Sequence, residues 1–303
     1  MFGPGAALVD DGTAWVLVED EPARGLGPAL AWAVRQRAGT VNVLAERETG
    51  LLARRAGEFA FPVHVWRVDR RTLHAAEPAD LTAPPPAPGA HLALIPTIEA
   101  GGATPVVEHG VVAGEVRGLE VCRVVDDADT GAVRLDVGVG VHDREAFAII
   151  HGDVPTVDAL AGVVAAVAEH RGDGTAGHPL NRLAPERLLR WSLEQEPALI
   201  GLTSLAPAPP PRPRHSLKEP APCSALGFDP AGRTVLVVCS VGVDLDLIPY
   251  AADARRAAES EPGVGLDVMV VVPPRDLMPI TAELAGLLRH AVTLVLSPVP
   301  SSI

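Results

Sequence analysis

The sequence predicts an α/β fold in which two Rossmann-like βαβαβ units, each built on a parallel sheet, flank a central α+β segment. Three observations predict this fold. Short apolar runs alternate with helical segments near both ends, the two ends repeat the same order of elements, and two proline-rich stretches set the middle apart. The predicted divisions are an N-terminal unit 1–74, a linker 75–90, a central domain 91–204, a linker 205–223 and a C-terminal unit 224–303.

Each outer unit is predicted to contain three strands joined by two helices. The strands are continuous apolar runs, which is typical of a parallel sheet covered by helices on both faces. In the N-terminal unit the elements are a strand at 13–20, a helix at 27–39, a strand at 40–46, a helix at 47–59 and a strand at 62–68. In the C-terminal unit they are a strand at 233–240, a helix at 248–260, a strand at 266–272, a helix at 275–288 and a strand at 291–298.

The two outer units resemble each other in detail. Their first strands and first helices superimpose at a shift of 221 residues, which pairs Pro28 with Pro249 near the start of each helix (249 − 28 = 221). The Arg-acid steps that begin at Arg47 and Arg275 correspond at a shift of 228 (275 − 47 = 228). Either an internal duplication or a shared architecture without common ancestry accounts for this likeness.

The linkers are predicted from their prolines. Proline lacks a backbone donor and fixes its own backbone angle, so neither stretch suits a helix interior or a central strand. Extended chain is the expected conformation of both. The second linker, "LAPAPPPRPRHSLKEPAPC", also has the form of a ligand for a proline-recognising domain, because Arg212, Arg214 and Lys218 stand beside the prolines.

Acidic residues follow the first predicted strand of each outer unit. Two βαβαβ units commonly join as one doubly wound sheet, and ligands bind in the crevice at the carboxyl ends of the strands. The loop with Asp244 and Asp246 would then face Glu19, Asp20 and Glu21. Such carboxylates suit a divalent cation, ribose hydroxyls or an amine. The predicted ligand-binding residues are Asp20, Glu21, Arg47, Asp244, Asp246 and Arg275, with Asp244 and Asp246 also as metal ligands.

The residues around these loops also fit roles that involve no ligand. Asp and Glu favour helix N-termini, and Asp246 stands three residues before Pro249, where it would serve as a cap. The dinucleotide signature is incomplete, since Gly25 and Gly27 lack a third glycine at the required spacing, so NAD is not predicted. Cys239 ends a predicted strand, where it is either a nucleophile or, more commonly, a buried core residue.

The central domain is predicted to be α+β, with antiparallel strands within 107–127 and 132–153 and helices at 156–171 and 184–196. Its polar residues suggest a metal centre for Zn²⁺, Mn²⁺ or Fe²⁺, with His142, Asp143, His151 and Asp153 as ligands. A divalent-metal phosphodiesterase or nuclease is the alternative. It requires Glu115, Asp136 and Glu145 to converge within about 5 Å. A third interpretation is that these polar residues simply face water.

Composition excludes some classes of function. The net charge of −13 argues against an extended nucleic-acid surface, and the three cysteines lie far apart, which is typical of a reduced compartment. No apolar run approaches the length of a membrane span, so the sequence predicts a soluble cytoplasmic protein without a membrane partner.

Three functions are therefore expected. The first is binding of a small molecule or divalent cation in the acidic crevice, with hydrolase or transferase chemistry as an extension. The second is the metal-dependent phosphodiesterase of the central domain. The third is a non-catalytic assembly module, for which a homo-oligomer is expected. The sequence names no reaction.

Overall fold

The computed structural model describes residues 5–81, 83–127, 130–140, 144, 156–172, 178–213, 221–259 and 265–297. The chain divides into two compact units. The first comprises 1–82 and 226–298, and the second comprises 83–225 and 299–303. The division therefore runs through a strand, β11, whose bounds are given below.

The strands are β1 Gly5–Asp10, β2 Thr13–Val18, β3 Thr40–Ala45, β4 Val63–Asp69, β5 Thr72–Ala75, β6 Thr104–Glu108, β7 Val111–Val116, β8 Leu119–Asp126, β9 Val133–Val137, β10 Ser204–Ala208, β11 Cys223–Phe228, β12 Thr234–Cys239, β13 Asp267–Val272 and β14 Thr293–Leu296. The helices are α1 Leu26–Arg35, α2 Thr49–Ala56, α3 Gly89–Leu92, α4 Ile95–Ala100, α5 Thr156–His170, α6 Pro185–Gln195, α7 Leu247–Ala258 and α8 Pro279–Gly286.

The described strands form three sheets, and the prediction of Rossmann-like parallel sheets is wrong. The first sheet has the order β1-β2-β3-β4-β5, in which the parallel strands β2, β3 and β4 lie between antiparallel neighbours β1 and β5. The second sheet, β6-β7-β8-β9, is antiparallel throughout. The third has the order β10-β11-β12-β13-β14, with β12, β13 and β14 parallel.

A β-hairpin explains why the two βαβαβ segments do not share one doubly wound sheet. β1 and β2 are joined by the two-residue turn Asp11-Gly12, in which both residues have positive φ, 44° and 72°. This is the geometry that two-residue hairpins require. β1 therefore occupies the edge of β2 that β12 would need, and β12 has its own neighbour, β11, beside it.

The order of the parallel strands in the first sheet also determines where its helices lie. Neither α1 nor α2 covers the second face of this sheet. Since β2, β3 and β4 are sequential neighbours, right-handed crossovers place both α1 and α2 on the same face. We call the face that carries α1 and α2 the inner face. It shares a hydrophobic core with these helices, which includes Val16 and Val43 from the sheet and Leu30 and Leu52 from the helices. The expectation of a sheet buried on both faces fails for this reason.

The helices α1, α2 and α7 of the first unit are mostly buried, whereas α8 buries only Thr281 and Leu284. α7 is buried along nearly its whole length, and Ile248 from α7 and Leu284 from α8 join the core of the first sheet. Pro28 and Pro249 each occupy the third position of their helices, α1 and α7. We call β1 to β5 with α1 and α2 the N-terminal half of this unit, and β12 to β14 with α7 and α8 its C-terminal half.

The second unit contains the antiparallel element expected for the central segment. Its sheet packs α4 and α5 through a core that includes Ile98, Val112, Val121 and Leu160. In the part of the chain that the structure describes, no helix combines the length and the apolar character needed to cross a membrane.

Candidate functional site

Asp246 lies in the loop before α7 and contacts the start of α1. Its carboxylate is almost completely buried, with Oδ1 accepting a hydrogen bond from the Gly27 N–H at 2.9 Å and Oδ2 one from Arg55 Nη1 at 2.6 Å. Gly27 permits this approach because a Cβ at that position would lie 1.9 Å from the carbonyl oxygen of Leu245. Both carboxylate oxygens of a predicted ligand residue thus have partners within the chain.

Burial determines the protonation of Asp246. Loss of solvation raises the pKa of its carboxyl from 3.8 to about 6, although the Arg55 guanidinium and the Gly27 N–H act in the opposite direction. The carboxylate is therefore ionised at neutral pH and half protonated in mildly acidic solution.

Asp244 also has partners within the first unit. Its Oδ2 lies 3.1 Å from Arg24 Nη2, and its Oδ1 accepts a hydrogen bond from the Asp246 N–H at 2.9 Å. The contacts of Asp244 and Asp246 given by the structure are with guanidinium and backbone N–H groups, whereas the prediction places Glu19, Asp20 and Glu21 opposite them.

The other predicted ligand residues lie on the surface. Asp20, Glu21 and Arg47 are exposed. Arg275 is exposed as well, with its Nε 3.6 Å from Asp276 Oδ1. Asp276 in turn accepts a hydrogen bond from the Gly242 N–H at 2.8 Å. The described atoms therefore bring together Asp244 and Asp246 but not the complete predicted set.

A buried ionic cluster joins the two halves of the first unit, and no sequence motif predicts it. Asp253 on α7 is fully buried and accepts hydrogen bonds from Arg54 Nε at 2.7 Å, Arg54 Nη2 at 3.1 Å and Arg55 Nε at 3.3 Å. Glu58 binds Arg255 at 2.7 Å and Arg256 at 2.9 Å. The hint in the sequence is that, apart from Glu58, these charged residues stand beside alanines on the helices α2 and α7.

The sheet of the second unit has a charged face. The register places Glu115 opposite Glu120 and Arg123 opposite Asp136, so these four side chains share one face. Arg123 Nη2 lies 2.7 Å from Glu120 Oε2, and Arg144 Nη1 lies 2.8 Å from Glu120 Oε1. The carboxylates of this face therefore have guanidinium partners.

Two arginines of α6 pair with the same face. Arg187 binds both Glu108 and Glu115, and Arg190 Nη2 lies 3.4 Å from Glu115 Oε2. Arg190 Nε is also 3.0 Å from Glu194 Oε1. Burial raises the pKa of the Glu194 carboxyl to about 7 despite Arg190.

The predicted metal centre falls on residues that the structure does not describe. His142, Asp143, His151 and Asp153 lie outside the described residues, as does Glu145 of the nuclease hypothesis. Among the described residues, no group of three or more His, Cys, Asp or Glu side chains is placed to hold a metal ion. Cys239 is completely buried at the end of β12.

One side of the first sheet carries mostly apolar, partly exposed side chains. We call it the outer face, because α1 and α2 lie on the opposite side. The register places on it Ala6, Leu8, Asp10, Thr13, Trp15, Leu17, Thr40, Asn42, Leu44, His64, Trp66, Val68, Leu73 and Ala75. Trp15, Leu17, Leu44 and Trp66 are half-buried, and Leu8 is 56% exposed. Trp66 Nε1 donates to Asn42 Oδ1 at 2.8 Å, which fixes the indole on this face.

Comparison of the chain with protein-family models, with curated proteins and with solved structures gave no match.

Proposed function

We propose that this protein is a non-catalytic assembly module that binds a second copy of itself through the outer face. The observation that supports the proposal is the composition of that face, where Trp15 and Trp66 stand among aliphatic side chains. Its described residues include no lysine or arginine, and its one carboxylate is that of Asp10, at the rim. A sheet normally buries its apolar faces against another layer. Large apolar patches on soluble proteins mark interaction sites.

The dimensions of the outer face suit a protein partner. Strands lie about 4.8 Å apart and rise about 3.3 Å per residue, so five short strands cover about 20 Å by 20 Å. The accessible surface of protruding side chains exceeds this projected area of about 400 Å². One side of a standard interface buries about 800 Å². The area of the outer face is therefore of the same order as the area that one partner buries in a standard interface.

A second copy is the partner that the charges favour. The chain carries a net charge of −13, so two copies repel each other wherever their charged surfaces approach. The outer face reduces this cost because, among its described residues, Asp10 at its rim is the only acidic one. Two such faces related by a two-fold axis would pack sheet on sheet, with Trp15 and Trp66 as aromatic anchors.

The test is sedimentation of the full chain by analytical ultracentrifugation over a range of protein concentrations. We expect the wild type to dimerise and the double variant Leu17→Lys/Leu44→Lys to sediment as a monomer, because the dimer would bury four unpaired ammonium groups. Val243→Lys is the matched control, since Val243 is 60% exposed and lies outside the outer face.

Further outcomes separate this proposal from ligand binding. Neutralising the exposed acidic loop with Asp20→Asn/Glu21→Gln, or adding divalent cations, should leave the dimer unchanged. A wild type that stays monomeric up to its solubility limit would contradict the proposal. So would a dimer that persists in the Leu17→Lys/Leu44→Lys variant.

A further inference from the structure

The strands β1 and β11 occupy equivalent places in the two halves of the repeat, but their outer edges differ. Each pairs with the first parallel strand of its βαβαβ segment, β1 with β2 and β11 with β12. β11 also has the strand β10 along its other edge, whereas β1 is the last described strand of the first sheet. Among the described strands, the outer edge of β11 is therefore paired with β10, whereas the equivalent edge of β1 has no neighbouring strand.

We infer that the outer edge of β1 is a second interaction site, which accepts an extended, uncharged, proline-containing segment as an added strand. The chemistry of this partner is taken from β10, the strand beside β11, whose sequence is Ser-Leu-Ala-Pro-Ala. This interaction uses backbone hydrogen bonds at a sheet edge and is distinct from packing on the outer face.

The backbone of β1 has donors available at this edge. In a two-residue hairpin the residues that flank the turn, Asp10 and Thr13, exchange hydrogen bonds, and successive residues then alternate in direction. The N–H groups of Ala6 and Leu8 therefore point toward β2, and those of Ala7 and Val9 point outward. An added strand would satisfy both outward N–H groups.

The side chains of β1 do not protect the edge. Exposed edge strands usually carry lysine, proline or a bulge that discourages pairing. β1 has the sequence Gly-Ala-Ala-Leu-Val-Asp, in which Asp10 is the only charged residue. Leu8 is 56% exposed and Val9 42% exposed, on opposite faces of the strand. Both are available to a partner's side chains.

The sequence of β10 fits such an edge. Its residues carry no charge, so they do not repel Asp10 or the acidic chain. Proline is tolerated on an outermost strand, where its missing donor is not required by a neighbour. A proline-containing partner also ends the ladder, because it cannot template another strand beyond it.

The test uses a fluorescently labelled peptide with the sequence of residues 203–211, Thr-Ser-Leu-Ala-Pro-Ala-Pro-Pro-Pro, titrated with the full chain and followed by fluorescence anisotropy. We expect saturable binding that weakens at least about tenfold in Val9→Pro, which lacks an outward donor. Val9→Thr is the matched control, because it keeps the N–H and the β-branched shape, and it should bind like the wild type.

Two further measurements complete the test. Urea unfolding should show Val9→Pro close to the wild type and Leu8→Pro clearly less stable, because the Leu8 N–H bonds to β2 and the Val9 N–H does not. No saturable binding, or equal binding by wild type and Val9→Pro, would overturn the inference. If Val9→Pro instead changes the sedimentation of the chain without peptide, a second copy is the occupant of the edge, and the peptide assignment is wrong.

Discussion

Asp246 and Gly27 are 219 residues apart in the sequence, yet the Gly27 N–H donates a hydrogen bond of 2.9 Å to the Asp246 carboxylate. The contact places a negative charge at the start of α1, where the helix dipole and the free N–H groups favour it. Arg55 completes the contact from α2. The acidic loop that the sequence singles out thus links the two halves of the first unit.

Gly27 should tolerate no side chain. Gly27→Ala places a Cβ against the Leu245 carbonyl, so we expect a loss of about 1–3 kcal/mol or more in the free energy of unfolding, measured with urea. Gly286→Ala, at the end of α8, is the control, since a Cβ there would meet no atom within 4 Å outside its own helix turn. It should be neutral or stabilising by about 0.4–1 kcal/mol. Equal effects of the two substitutions would contradict the close approach of Gly27 to Leu245.

Asp253 should be the most sensitive carboxylate of the first unit. Asp253→Ala leaves the buried guanidinium groups of Arg54 and Arg55 without this partner, and we expect a loss of about 3–5 kcal/mol in urea unfolding. Asp253→Asn keeps an acceptor and should lose less. The exposed pair of Asp267 with Arg233 is the comparison, because solvent screens such a pair and Asp267→Ala should therefore change the free energy of unfolding much less than Asp253→Ala. Similar losses at both sites would mean that the buried cluster contributes no more than a surface pair.

The hairpin at the start of the chain has a clear sequence signal that the prediction of a doubly wound sheet leaves out. Asp11-Gly12 between two apolar stretches is typical of a two-residue hairpin, and both residues adopt the positive φ that this turn needs. The turn places β1 beside β2. A doubly wound sheet requires that edge of β2 to be free, so the two features exclude each other.

The parallel strands and their helices follow from apolar runs and helical periodicity, but the environment of each face does not. A continuous apolar run such as Thr13–Val18 does not reveal whether one or both faces are covered. That depends on the order of the strands, because sequential order places both helices on one side. The half-exposed positions of Trp15 and Leu17 result from topology rather than from local sequence.

The buried ion pairs are beyond sequence prediction for a related reason. Arg54 and Asp253 are each ordinary helix residues, and nothing local marks them as partners 199 residues apart. Only the packing of α2 against α7 brings them together. The charged face of the second unit is easier to predict from the sequence than these ion pairs. The two stretches that carry Glu115 and Asp136 are expected to form antiparallel strands, which places their polar residues near one another.

Asp246 should make the protein less stable as the pH rises from about 4 to about 6. Its pKa in the folded state is about 6, above its ordinary value of 3.8, so the folded state binds more protons than the unfolded state between these values. Relative to Asp246→Asn, the wild type should lose on the order of 2–3 kcal/mol across this window and then level off. Urea unfolding at several pH values measures the difference. A wild type that instead gains stability over Asp246→Asn as the pH rises would mean that attraction to Arg55 outweighs burial.

Glu194 should act in the same direction over a higher range. Burial raises its pKa from 4.5 to about 7, so the folded state retains the proton where the unfolded state has lost it, and stability falls as the pH rises from about 4.5 to about 7. Glu194→Gln should remove this contribution, and its difference from the wild type should still change between about pH 6 and 7, where that of Asp246→Asn has levelled off. Glu196→Gln, at an exposed position after α6, is the matched control and should show no such change. If Glu194→Gln and Glu196→Gln follow the same pH profile, the carboxyl of Glu194 is solvated, and the Arg190 contact does not hold it in a buried cluster.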